Sequence, residues 1–459
     1  MRKKRIVLIM CSFVLITGFL LTTLGSAEEW SWKKAAQPYK GQTVYVLVNF
    51  HPDIEATLPL IREFEKETGI KVEIELLVRR QMDIKAETEL AGQTGAYDLM
   101  HIGLWKTARY SKRNWAEPLG KYIDNPNLTN PDFDLKDFVY NALRALTDKN
   151  GQILGLPWST ETGLLYYRTD IYEKYGIVGP PKTFEEMEEI CKKVYTEDIP
   201  SIALRSVRGY GINMWSFGRY VGSFGGQYFD DYMNPTINTE EWIKATSFYA
   251  RLNQKYGPPG VGAYKHYELV QDFSQGKLVM IEDAGPWGKV FNDPEKSKVV
   301  GKWKAAILTR GPVKHVFSHY THGLMIPRMA KHKEAAWLFL QWMTGKEVQL
   351  KRALLFGGGA VTRTSVLEDS RYKITFDFGD WGAVNAESLR IASQVEDPYF
   401  VPYYLPEYKE IGDTIGIALQ NIITGDQSPE KALTSANKKA LEIIQEAGYL
   451  GKPKSQLRP

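Results

Sequence analysis

Cysteine is nearly missing from this 459-residue chain: Cys11 lies close to the start and Cys191 stands alone beyond it. No intramolecular disulfide is then available after the first residues, and the fold must rest on its core. An excess of charge is missing too. The 58 basic residues outnumber the 54 acidic ones by four, and Arg2, Lys3, Lys4 and Arg5 account for that difference. The rest of the chain is neutral overall and carries no Lys/Arg block, which argues against a nucleic-acid partner. There is no tandem repeat, and no G-x-S-x-G, H-E-x-x-H or Walker A pattern marks a familiar catalytic apparatus.

What is present begins with an address. The four basic residues precede an apolar run over residues 6–24, which closes on Gly25-Ser26-Ala27 before Glu28-Glu29. This is the pattern of a secretory signal peptide over residues 1–27. The run is also long enough for an uncleaved anchor helix, but its small-residue exit favours cleavage after Ala27. Cys11 sits inside the run behind Met10, a poor position for a lipid anchor. About 430 residues remain, enough for two domains. Aromatics are abundant, with 12 Trp, 26 Tyr and 19 Phe, more than core packing asks for, so many should lie near surfaces or clefts.

Short apolar strands alternate with amphipathic helices, which predicts an α/β class. Residues 43–49 (TVYVLVN) suit a buried parallel strand. Thr57 is placed to cap the next helix, with Pro59 in its first turn, Leu60, Ile61 and Phe64 on one face and Gly69 at its end. A second strand over 70–78, a helix over 82–91 and a third strand over 97–102 complete a doubly wound opening. Ligands of such sheets sit beyond the carboxyl ends of the strands, here the loops 49–53 and 101–106. Further helices are expected over 182–194, 331–344 and 408–423, and one capped by Ser428 with Leu433, Ala436, Ala440 and Ile444 on one face. Residues 28–40 and 451–459 read as loose.

Seven segments in order resemble the extracellular solute-binding proteins of the maltose-binding type, which serve carbohydrate ABC importers. They are residues 61–72 (IREFEKETGIKV), 89–100 (ELAGQTGAYDLM), 155–170 (GLPWSTETGLLYYRTD), 273–287 (FSQGKLVMIEDAGPW), 323–328 (GLMIPR), the helix over 335–348, and 424–433 (TGDQSPEKAL). The resemblance spans nearly all of the chain after the leader. It implies a two-lobed periplasmic-binding-protein fold of type II-like form, with crossing hinge strands and a ligand cleft between the lobes. Residues 28–156 with 314–364 would form the first lobe, and 157–313 with 365–459 the second. The implied function is capture of a sugar by hinge closure and delivery to a membrane permease. The receptor would be monomeric and periplasmic, with no cofactor and no metal.

Sugar recognition needs aromatic faces and planar polar side chains in a largely dry pocket. By the resemblance, Trp287 of the Gly-Pro-Trp stretch is the first candidate; a core tryptophan is the plain alternative. Trp158 and Glu161 lie on the crossing segment, where a hinge-packing residue and a solvated acid are the alternatives. Trp215 belongs to a loop that relatives bring into the cleft, with Phe217 and Arg219 ranked below it. Asn49 and His51 follow the first strand, Trp105 and Lys106 the third, and Tyr403 and Tyr404 precede a late helix. Around residues 357–363 (GGGAVTR) the family's usual proline is replaced by Ala360-Val361. Residues 314–322 (KHVFSHYTH) are unusually His-rich; His315 and His319 are expected on one strand face and His322 on the other. His322 is a ligand candidate, and the three histidines together make a poor metal site.

Two rival readings remain at this point. A secreted glycoside hydrolase would need two carboxylates, and Glu161, Glu282 and Asp283 can be nominated. The same fold with ferric iron, a polyamine or a peptide as cargo is the other; Tyr166-Tyr167 or Tyr403-Tyr404 would serve an iron site.

Overall fold

The computed structural model describes residues 29–394 and 401–458. The leader assignment lies outside the described residues. The chain enters through a short helix, α1 (Trp32–Ala36), capped by the Ser31 hydroxyl, with Ala35 and Ala36 buried. Within the stretch 28–40 that reads as loose, residues 29–40 are ordered against the fold: Trp32 sets its ring against Phe64 at 6.5 Å, and the segment packs on the first core.

Strand β1 (Thr43–Asn49) follows. The next helix, α2 (Pro52–Thr57), starts five residues earlier than its expected cap. His51 is the cap instead, its ring accepting from the Asp53 N–H, while the Thr57 hydroxyl turns back onto the Asp53 carbonyl. Pro59 marks a short 3-10 turn into α3 (Ile61–Thr68), which ends at Gly69 in the left-handed region at φ 71°. Then come β2 (Lys71–Leu77), α4 (Arg79–Gly92), β3 (Leu99–Gly103) and α5 (Thr107–Lys112). β1 pairs in parallel with both β2 and β3, the doubly wound start that the hydrophobic pattern predicts.

β4 (Leu156–Arg168) is the longest strand and runs through both halves of the sheet system. After it come α6 (Phe184–Val194), β5 (Ile202–Ala203), α7 (Asn213–Ser223), α8 (Glu240–Tyr256), β6 (Met280–Ala284) and β7 (Trp303–Ile307). β8 (His319–Met325) returns the chain beside β3. Helices α9 (Lys333–Thr344), α10 (Lys346–Phe356), α11 (Trp381–Ala392), α12 (Tyr408–Ile423) and α13 (Pro429–Glu446) complete the fold. α13 is capped by Ser428 and buries Leu433, Ala436, Ala440 and Ile444, the face read from the sequence. The C-terminal segment is tied down as well: Gly451 N–H donates to Tyr232 O at 2.9 Å and Lys454 N–H to Asp231 O at 2.8 Å.

The sheet order is β2-β1-β3-β8-β4-β6-β5, with β7 also on β4. The first half of β4, Leu156 to Thr162, pairs with β8; the second half, Gly163 to Arg168, pairs with β6 and β7. At the changeover Gly163 lets the Leu308 side chain pack close, where a Cβ would meet its terminal methyl at 2.8 Å. Two cores follow from this division. One gathers Phe64, Leu324, Trp337 and Phe339; the other gathers Tyr166, Phe217, Trp242 and Phe273. The architecture is two-lobed α/β. Among the described residues, no helix is long and apolar enough to cross a membrane.

A buried arginine anchors the hinge to the first lobe. Arg352 on α10 donates to the Trp158 carbonyl at 3.1 Å and the Ala360 carbonyl at 3.3 Å, and lies 3.9 Å from the Asp53 carboxylate. It is fully buried, so removing it leaves Asp53 without its counter-charge. Replacing Arg352 by Met is expected to lower the unfolding free energy by about 3 kcal/mol, read as a lower urea midpoint at unchanged slope.

Candidate functional site

The cleft lies where β1, β3 and β8 end against β4. Neighbouring residues of a strand face opposite ways, so Tyr320 and His322 of β8 look into the cleft while His319 looks behind it. His319 bonds there with Thr160 and Thr321 at 3.3 and 3.2 Å. His315 does not share its strand face as expected: it precedes β8, and its ring nitrogen is engaged by the Leu308 carbonyl at 2.7 Å.

On the first-lobe side Trp158 is wholly buried, its ring 4.9 Å from His51 and 5.0 Å from His322. The register shift of β4 against β8 falls between Pro157 and Ser159, around that tryptophan. His322 in turn meets His101 of β3 through ring nitrogens 3.2 Å apart. Trp105 stands over Tyr320 at 4.2 Å and reaches across to Tyr210 at 5.3 Å and Tyr403 at 6.4 Å. It leaves room only for glycine at 211, where a Cβ would enter the indole.

On the second-lobe side the key pair was not foreseen in its role. Arg205 and Asp283 form a buried two-pronged ion pair at 2.6 and 2.8 Å. Arg205 lies flat on Trp215 at 4.2 Å, and Asp283 accepts from the Trp287 indole at 2.7 Å. One ion pair thus orients both second-lobe tryptophans. Trp215, Ala284 and Tyr320 pack together with Leu104, Trp105 and Trp287, so aromatic groups of both lobes meet in one cluster.

Burial sets the charge of this space. Desolvation pushes the Glu161 carboxyl up to about 8 against the opposing pull of Arg205. It also drives His51 down to about 4, against the pull of Asp53, and holds His101 and His322 well below the usual imidazole range. The facing groups are neutral near pH 7, and the charges around them are paired: Arg205 with Asp283, and Arg79 and Lys106 with Asp83. Several polar atoms of residues around the cleft are buried with no protein partner among the described residues: Asn49 Oδ1, His101 Nδ1, and the indole nitrogens of Trp158 and Trp215. Such atoms cost about 1–3 kcal/mol each unless something supplies a hydrogen bond.

Of the residues nominated from sequence, Asn49, His51, Trp105, Trp158, Glu161, Trp215, Trp287, Tyr403 and His322 converge here. Lys106 is close by, but its ammonium is held by Asp83 beneath the wall. Tyr404 lines a cavity of about 310 Å³, mostly apolar, that also touches Leu104, Phe317, His319 and Tyr403, so Tyr403 borders this cavity as well as facing Trp105. Phe217 is core, packed on Trp242 and Tyr249, and Arg219 is buried in an ion pair with Glu282. Two of the three nominated hydrolase acids are engaged: Glu282 by Arg219 and Tyr220, Asp283 by Arg205. The phenol of Tyr166 donates to the carbonyls of Ala284 and Gly285 and has no role in an iron site. Arg79 and Tyr320, joined at 2.8 Å, carried no signal in the sequence; Asp283 did, four residues before Trp287.

Two lobes around a neutral, aromatic cleft define the class of hinged small-molecule receptors. The chain belongs to the bacterial extracellular solute-binding proteins, whose family pattern matches residues 51–350. It is 29% identical over 376 residues to a mannitol-binding protein of Pseudomonas aeruginosa, covering 79% of this chain and 84% of that one. It is 26% identical over 419 residues to an erythritol/L-threitol-binding protein of Mycolicibacterium smegmatis, covering 87% and 85%. Among solved structures, an ABC-transporter solute-binding protein of Agrobacterium vitis with bound D-mannitol aligns with a TM-score of 0.78 and 26% identity, covering 89% of this chain and 99% of that one. A homologous fold from Agrobacterium radiobacter in complex with ribitol aligns at 0.79 with 24% identity, covering 88% and 99%.

His266 and His319 give this architecture a pH signature. Burial lowers both from 6.5 to about 4. The unfolded chain takes up these protons first, so their contribution to stability is full above pH 6.5 and is lost as pH falls towards 4. The melting temperature of the unliganded protein is expected to fall across that window. His319→Gln should make the fall shallower in the same thermal scans.

Proposed function

We propose that this chain is the receptor component of an ABC importer for an acyclic polyol of the alditol class, and that it binds its cargo without altering it. The observation that carries this reading is the set of buried, unpartnered polar atoms at Asn49, His101, Trp158 and Trp215, set in a wall without net charge. An alditol bears a hydroxyl on every carbon, each both donor and acceptor, and so answers mixed donors and acceptors at close spacing. A cationic polyamine gains nothing from neutral imidazoles beside a protonated carboxyl. The mannitol and erythritol receptors among the relatives support the same class.

In this reading the contacts come from Asn49, His51, Trp105 and His322 on one side and Trp215, Trp287 and Tyr403 on the other, with Trp158 and Glu161 on the strand between. Lys106 and Tyr404 act from behind the wall. The lobes divide at 156/157, 313/314 and 364/365. Closure is a population shift towards the form in which both lobes touch the ligand. Ion pairs between the first-lobe residues Arg109 and Lys112 and the late-chain residues Glu410 and Glu407, the latter at 2.7 Å, support such a closed form. Export with cleavage after Ala27, an untethered monomer in the periplasm, and docking to a membrane permease complete the reading.

Calorimetric titration against mannitol, ribitol, erythritol, glucose and maltose tests it. Alditols are expected to bind at micromolar dissociation constants or below, about −8 kcal/mol, and to be recovered chemically unchanged. Binding of maltose with silence towards every alditol would overturn the class. Trp158→Phe keeps an aromatic ring and loses one N–H, and should weaken alditol binding about tenfold. Trp287→Ala removes a whole aromatic face, and about a hundredfold loss is expected.

A further inference from the structure

His51, Glu161 and His322 each bring one ligand atom to a common point, all within 4.8 Å of one another. This is not the histidine trio suggested by the sequence. His315 is spent on a carbonyl and His319 faces away, while His51 arrives from the cap of α2 and Glu161 from β4. The three donors therefore stand on three separately braced elements, as a pre-organised site requires.

The far side of each ring is already engaged. His322 Nδ1 meets His101 Nε2 at 3.2 Å, which leaves its Nε2 for the cleft. His51 Nδ1 accepts from the Asp53 N–H at 3.2 Å in the described form; to ligate through Nε2 the ring must carry its proton on Nδ1 instead, towards the Asp53 carboxylate 3.6 Å away, which the Ser159 hydroxyl holds at 2.9 Å. A carboxylate or a second polar group behind a ligating imidazole is the usual support of a metal site. Two imidazoles and one carboxylate, with one side open to the cleft, match the donor set and the vacant position that zinc accepts.

We propose that His51, Glu161 and His322 bind a divalent transition-metal ion of the zinc type in the cleft, in competition with the polyol. Metal–ligand bonds of about 2.0–2.2 Å require the donors to draw inward by roughly an ångström, within reach of side-chain rotation. The competition arises because the same atoms would serve the ligand's hydroxyls. That limb rests on the polyol reading; the metal limb does not.

The test uses untagged, EDTA-stripped protein with Co²⁺ as a spectroscopic probe and Zn²⁺ as displacer. One equivalent of Co²⁺ should give the visible d–d bands of a low-coordinate site, and Zn²⁺ should bleach them stoichiometrically. His322→Ala and the shape-conserving Glu161→Gln should each weaken Co²⁺ binding by more than about a hundredfold, while His319→Gln on the opposite strand face leaves it intact. Saturating mannitol should raise the apparent dissociation constant for Zn²⁺ in proportion to its concentration. Absence of d–d bands in protein that still binds mannitol overturns the metal site and leaves the polyol reading standing. Bands that survive in both ligand variants overturn it too. Bands in a protein deaf to every alditol keep the metal site and remove the polyol reading, and full Zn²⁺ affinity under saturating mannitol overturns the competition.

Discussion

Strand β4 belongs to two sheets at once, and the cleft exists because of it. Its first half pairs with β8 and its second half with β6 and β7, so thirteen residues carry the chain from one core into the other. A strand so placed cannot be replaced by a loop without losing backbone hydrogen bonds on both sides. It also fixes Trp158 and Glu161 at the midpoint between lobes, where a ligand touching both must lie. The braces around it, Arg352 on the Trp158 carbonyl and Asp53 on Ser159, hold that midpoint to the first lobe.

The second constraint is electrical. A cleft that closes over neutral cargo must not bury loose charge, since an unpaired ion in a dry site is costly. Here each formal charge near the cleft has a partner, and the partners have structural work: Arg205–Asp283 orients Trp215 and Trp287, while Arg79 and Asp83 support Tyr320 and Lys106. The groups left to face the ligand are imidazoles and a carboxyl that burial keeps uncharged. Selectivity against ions then follows from desolvation, and selectivity among neutral ligands from where unpaired hydrogen-bonding atoms lie.

Local pattern made much of this legible. The β-branched run of β1, the face of α13 and its Ser428 cap depend on neighbours within a few residues, and all appear as read. The start of α2 did not: a histidine cap competes poorly with Thr57 by propensity, yet His51 holds the Asp53 amide and so begins the helix at Pro52. His51, Trp105 and Trp287 reach the cleft because they follow the ends of β1, β3 and β6, a topological fact visible in the pattern, while Trp158, Glu161 and His322 reach it from within the crossing strands. Arg79, Arg205 and Tyr320 escaped because their roles arise from partners far along the chain, Arg79 reaching Tyr320 across 241 residues. Tyr403 and Tyr404 show the limit of one-dimensional reading: both line the apolar cavity, while Tyr403 also sets its ring 6.4 Å from Trp105.

The measurement that bears most directly on the central claim is a crystal structure of the protein grown with mannitol. The account predicts one polyol between the lobes, its oxygens within about 3.2 Å of the indole nitrogens of Trp158 and Trp215. Mannitol seated instead in the apolar cavity beside Tyr404, or bound with those two indoles still unpaired, would contradict it.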